Sequence, residues 1–193
     1  MSKVAIVLGA LVVANAAAAQ DTGDRAATKA PAKVLRQNYE ISATGLDGIR
    51  QTMREVTLPI GLNRKAVAST NVKMTPNVVF DETPEACSIS GVTVDVTATV
   101  TLPRWREYAY GNAQEQRAWN NYVAALSRHE DLHVAIGEEY GGNLQAVLEA
   151  LPTRRTCDEL RSDIARERGR VLDRHRTAQN ALDARSVANP RSN

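Results

Sequence analysis

The sequence predicts an α+β domain in which a small antiparallel sheet is followed by two long packed helices. Three observations carry this expectation. Val92, Val94, Val96, Ala98, Val100 and Leu102 alternate with Thr93, Asp95, Thr97, Thr99 and Thr101, the period of a strand with one buried and one wet face. Between Trp119 and Leu151, apolar residues and two histidines recur every three or four positions, the period of a helix. From Thr156 to about Ala188 a second helical stripe carries Leu160, Ile164, Val171, Ala178 and Leu182.

Composition agrees with one globular domain. The chain has 193 residues, 43% of them hydrophobic, and only 4% aromatic, so Val, Ile, Leu and Ala must build the core. Lys and Arg number 24 against 22 Asp and Glu, a formal charge of +2. That balance lacks the electrostatic footprint of a nucleic-acid binder. No apolar run reaches the roughly 20 residues of a membrane-spanning helix.

The elements follow in order. Lys3, the apolar run Val4 to Val13, and the small-x-small steps Ala14-Asn15-Ala16 and Ala17-Ala18-Ala19 have the pattern of a signal peptide over residues 1–19, cut after Ala19. Such a signal sends the mature chain to the periplasm or the medium, with no stable membrane span after cleavage. Residues 20–35 read as a flexible leader, 36–188 as the domain and 189–193 as a tail. Tyr39 and Ile41 begin the domain with a short strand. Leu46, Ile49 and Met53 form one face of a short helix started near Thr44 and broken by Pro59 and Gly61. The β-rich stretch Lys65 to Phe80 contains Pro76, which predicts an edge position or a bend. Pro103 is expected to end the long strand, Pro152 to end the first long helix, and Gly141-Gly142 to bend that helix.

The two cysteines, Cys87 and Cys157, permit one intramolecular bond. An oxidising compartment favours a disulfide over two unlinked buried thiols. Closing a loop of about 70 residues stabilises the fold by roughly 4 kcal/mol on the loop-entropy model.

The chemistry concentrates in His129-Glu130-Asp131-Leu132-His133, an HExxH sequence inside the first long helix. Residues four apart stand one turn above each other on the same helix face. Two imidazoles so placed can reach one Zn²⁺ at about 2.0–2.1 Å. Glu130 projects beside the metal, where it can act as the general base on a water molecule. The bland reading of the same residues is two core histidines beside a solvated Glu-Asp pair. Both histidines share a face with Trp119, Leu126 and Ile136, which points them inward.

A catalytic zinc site needs a third protein ligand. No His stands at the short downstream spacing of a metzincin, so the ligand is expected from farther along the chain. On the second helix the candidates are His175, Asp183 and Glu167. Tyr108, Tyr110 and Tyr140 are candidates to stabilise an oxyanion, with ordinary packing as the alternative for each. Arg161, Arg166, Arg168, Arg170, Arg174 and Arg176 are offset by Glu159, Asp163, Glu167 and Asp173, and read as a solvated, ion-paired face.

Taken together, Cys87-Ser88-Ile89, Thr101-Leu102-Pro103-Arg104-Trp105, Trp119, His129-Glu130-x-x-His133 and Cys157-x-x-Leu160 resemble the DUF922 family, bacterial proteins described as predicted secreted zinc-dependent proteases. The resemblance spans about residues 38–185. It implies a minimal zincin-like fold, Zn²⁺ held by His129 and His133, Glu130 as general base, a peptide or protein substrate, and pairing of Cys87 with Cys157. The chain departs from the family where a Tyr-Asp step, a Thr and a His-Gly are expected: Leu182-Asp183 and Ser186 stand there, and no His follows. Two functions are therefore expected: an exported zinc metallopeptidase, or an inactive or structural metal-binding envelope protein of the same fold.

Overall fold

The structure is a computed structural model and describes residues 29–56, 58 and 66–188. The predicted signal peptide and its cleavage site, most of the leader, Pro59, Gly61 and the tail lie outside the described residues. In chain order come β1 (Ala32–Ile41), α1 (Gly45–Glu55), β2 (Ser69–Glu82), β3 (Cys87–Trp105), α2 (Ala113–Glu149) and α3 (Cys157–Ala188). A small sheet followed by two long helices is the α+β architecture that the periodicities predict.

The sheet has the order β1-β3-β2. β2 and β3 form an antiparallel hairpin, but β1 runs parallel to β3, from Ala32 opposite Val96 to Ile41 opposite Trp105. The sheet is thus mixed rather than wholly antiparallel. A parallel neighbour needs a long crossover connection, and α1 together with β2 supplies it between β1 and β3. β1 also starts earlier than expected, so residues 32–35 belong to the sheet and not to a leader. As an edge strand it leaves most side chains exposed, Leu35 included, and only Tyr39 to Ile41 at its end alternate.

β3 is the central strand because it alone buries a full face. Val92, Val94, Val96, Ala98, Val100 and Leu102 are all buried, and Thr93 and Asp95 on the other face are exposed. Pro103 does not end it. Beyond Thr101, which pairs with Ser69, β3 has only β1 as a neighbour, and a strand with one open side tolerates a residue lacking its N–H. Pro76 sits in β2, at the predicted edge.

α2 begins with a capping box. The Asn112 side chain accepts from the N–H groups of Gln114 and Glu115 at 2.9 and 3.0 Å, and the Glu115 carboxylate accepts from the Asn112 N–H at 2.8 Å. The helix runs unbroken past Gly141 and Gly142 to Glu149. Its glycines serve contact with the sheet: a Cβ on Gly137 would lie 2.8 Å from Val72, and one on Gly141 only 2.4 Å from Val96. α2 crosses the sheet so that consecutive residues reach opposite edge strands. Glu130 meets Thr70 of β2, and Asp131 pairs with Arg36 of β1 at 2.5 Å.

α3 returns antiparallel to α2. Val171 joins Leu144, Leu148, Met74, Val92, Val94 and Val96 in the main core. A disulfide between Cys87 and Cys157 ties the start of β3 to the start of α3, with the Cα atoms 5.1 Å apart. Leu160 packs fully buried beside it. These anchors fix α3 along α2, and its second half then faces the HExxH turn.

Candidate metal centre

Helical geometry stacks His129 above His133 on one face of α2, with ring centroids 4.8 Å apart and planes at 88°. Their Nε2 atoms are 3.2 Å apart. From α3, Asp183 brings Oδ1 to 3.0 Å from His133 Nε2 and 3.4 Å from His129 Nε2. These three donor atoms form a nearly equilateral triangle. A tetrahedral ion with bonds of about 2.0–2.1 Å has ligand-to-ligand edges of about 3.3–3.4 Å, so the triangle has the size of one tetrahedral face. The chemistry also fits zinc, which takes imidazole nitrogen and carboxylate oxygen. Both imidazoles are largely covered, whereas the Asp183 side chain is 36% exposed and opens that side of the cluster to solvent.

Glu130 leaves the helix toward the sheet and is 3% exposed. The hydroxyl of Thr70 donates to its Oε2 at 2.7 Å. Burial pushes the Glu130 carboxyl above the usual carboxylate range; the Thr70 hydrogen bond and the two histidines pull against that shift, and Asp183 adds to it. A solvated Glu-Asp pair is therefore excluded for Glu130, whose carboxyl is buried against β2 with Oε2 on Thr70.

The proton positions around His133 can be read from a carbonyl. Gln179 on α3 places its amide nitrogen 3.1 Å from the backbone oxygen of His133. Only the N–H end can sit there, so the amide oxygen is the atom against His133 Nδ1. Nδ1 therefore carries a proton and donates it to Gln179. When the imidazole is neutral, Nε2 is left as a lone pair aimed at Asp183 and His129. The three donor atoms converge at 3.0–3.4 Å, a geometry that a proton on His129 Nε2 or a shared metal ion would hold together.

His175, a candidate third ligand by sequence, is not in this cluster. Its Nε2 accepts the second amide hydrogen of Gln179 at 2.8 Å, and its ring meets Tyr140 edge-on at 5.6 Å between centroids. Asp183 takes the third place in the cluster because α3 is offset so that residue 183, not 175, lies opposite His129 and His133. Burial and the charge of His133 push the His175 imidazole below its ordinary range, which suits the neutral acceptor role. Glu167 pairs with Arg170 at 2.9 Å and Arg166 at 3.7 Å. Tyr108 packs on Trp105, and Tyr110 is 91% exposed. Tyr140 stands two turns along α2 from His133.

Two residues bonded to the HExxH turn escape the sequence reading. Gln179 had a signal, because it sits four residues from both His175 and Asp183 and shares their face. Thr70 had none, since only the packing of α2 on β2 brings it to Glu130.

No curated protein and no solved structure matches the chain. A family profile described as "Bacterial protein of unknown function (DUF922)" matches residues 36–188. The chain therefore belongs to the DUF922 family.

Proposed function

We propose that this chain is an exported zinc-dependent peptidase. The observation that carries the reading is the triangle of His129 Nε2, His133 Nε2 and Asp183 Oδ1, with the buried Glu130 on the adjoining face of the same helix turn. Three protein ligands, two imidazoles and a carboxylate, are the pattern of a catalytic zinc, which keeps a fourth position open. A zinc ion held there would make water acidic and polarise a carbonyl.

The remaining work falls to the chain. Glu130 takes a proton from the attacking water and passes it to the leaving amine nitrogen. Its burial raises its proton affinity, which suits a carboxylate that must hold the proton between the two transfers. Thr70 fixes which carboxyl oxygen is engaged by the fold and leaves the other for the water. Export is supported by the signal-like pattern of residues 1–19 and by the disulfide, which belongs to an oxidising compartment. Among the described residues no helix is long and apolar enough to cross a membrane.

The test is metal content and hydrolysis of a peptide library by the mature protein, with Glu130→Gln and His133→Ala alongside. About one zinc per chain is expected in the wild type and in Glu130→Gln, and none in His133→Ala. Only the wild type should cleave. Cleavage by Glu130→Gln at the wild-type rate would remove Glu130 from the mechanism. Full zinc occupancy with no hydrolysis would make the chain a metal-binding envelope protein, the reading favoured by the missing distal His.

A further inference from the structure

We infer that Gln179 is a positioning residue for the metal centre, holding His133 as the Nδ1–H tautomer and so aiming its Nε2 lone pair at the ligand triangle. The inference rests on the metal-binding reading above. Every polar atom of the Gln179 amide is committed. Its oxygen accepts from His133 Nδ1; one amide hydrogen goes to the His133 backbone oxygen at 3.1 Å; the other goes to His175 Nε2 at 2.8 Å. An amide rotated by half a turn would set its oxygen against the His133 carbonyl oxygen and lose both donated bonds. The side chain is thus locked in one orientation by two groups that do not touch the metal triangle.

This lock has a chemical consequence. A free imidazole places its proton on either nitrogen, and only the form with a bare Nε2 can bind here. Fixing that form removes the cost of selecting it at the moment of binding. Donation of Nδ1–H to an acceptor also raises the basicity of the opposite nitrogen, and loss of such a partner typically costs about 10–100-fold in metal affinity. His175, set aside as a ligand, has a place in this account: it holds the far end of the amide.

The test combines zinc affinity with a direct view of the proton. Zinc affinity is measured by chelator competition for the wild type, Gln179→Met and Gln179→Glu. The methionine keeps the length but removes the acceptor; the glutamate keeps the acceptor but loses both donated bonds. In parallel, nitrogen NMR of protein labelled at its three histidines reads the His133 tautomer in the metal-free state, above the imidazole titration. The expected result is a wild type with Nδ1 protonated, a Gln179→Met variant that binds zinc about 10–100-fold more weakly, and a Gln179→Glu variant that binds more tightly than Gln179→Met. Wild-type affinity in Gln179→Met, or an Nε2–H tautomer in the wild type, would overturn the inference. If Gln179→Met does not fold, the wild-type tautomer and the Gln179→Glu affinity still decide. If the wild type shows the Nδ1–H tautomer but binds no zinc, the metal reading falls while the orientation of His133 by Gln179 stands.

Discussion

The Thr70 hydroxyl donates to Glu130 Oε2 across 2.7 Å, joining an edge strand to a helix sixty residues downstream. The same hydroxyl lies 3.3 Å from the Glu130 backbone oxygen, so the side chain and the helix turn that carries it share one anchor. A buried carboxyl without such a donor would be poorly oriented and harder to ionise.

Thr70→Val keeps the shape of the side chain and removes the donor. A hydrogen bond to a charged group contributes about 1.5–3 kcal/mol, so hydrolysis should fall roughly 10–100-fold. Zinc content should not change, because no donor of the triangle is touched. The bond stabilises the ionised carboxyl, and its loss raises the proton affinity of Glu130 further. The acid limb of the rate profile should therefore move to higher pH. Thr70→Ser, which keeps the hydroxyl, should hold the limb in place.

Asp183 and His175 separate by what each touches. Asp183→Ala removes one of the three donor atoms, and zinc affinity should fall by more than the roughly 100-fold that loss of an outer hydrogen-bond partner can cost. His175→Ala acts only through Gln179 and should cost less than Asp183→Ala. Chelator competition on both variants measures the order. A larger loss from His175→Ala would make the imidazole the ligand and would contradict the offset of α3.

The parts of the fold that could be read in advance are those with local repeats. β3 alternates, α2 and α3 carry stripes, and HExxH is a spacing on one helix. Only the end of β1, at Tyr39 and Ile41, could be read, because its exposed first part, Lys33 to Asn38, imposes no pattern on either face. Its parallel pairing with β3 is a relation between distant segments, invisible to any window. The third member of the cluster shows the same limit. His175, Gln179 and Asp183 stand at successive four-residue steps, so periodicity sets all three on one face and does not choose among them. The choice is made by how far α3 slides along α2, and that is set by Val171 against Leu144 and Leu148 and by the Cys87–Cys157 bond.

Breaking that bond should be felt in stability first. The cysteines are separated by 70 residues, and a loop of that size stabilises by about 4 kcal/mol on the entropic model. Cys87 is fully buried, so Cys87→Ala with Cys157→Ala also leaves a small void beside Leu160. Chemical denaturation should show a loss of roughly 2–5 kcal/mol for the double variant. The metal triangle lies at the opposite end of α3, so zinc affinity measured well below the unfolding transition should change little.

Gly141 and Gly169 are both helical, and the same change should act on them with opposite sign. In a helix interior, Gly to Ala is ordinarily favourable by about 1 kcal/mol, through backbone entropy. Around Gly169 on α3 nothing lies within 4 Å of the added carbon, so Gly169→Ala should gain most of that amount. At Gly141 the added carbon would stand 2.4 Å from Val96 Cγ2 and 3.1 Å from the Ala30 Cβ. Val96 is 3% exposed and locked in the central strand, so it cannot turn away, and α2 must lift from the sheet instead. Overpacking of this kind costs about 1–3 kcal/mol, which outweighs the helical gain. Urea denaturation should move the midpoint up for Gly169→Ala and down for Gly141→Ala. A rise for both would mean that α2 does not rest on β3 at Gly141. The lift would also carry Glu130 away from Thr70, so Gly141→Ala should lose hydrolysis along with stability, whereas Gly169→Ala should keep it.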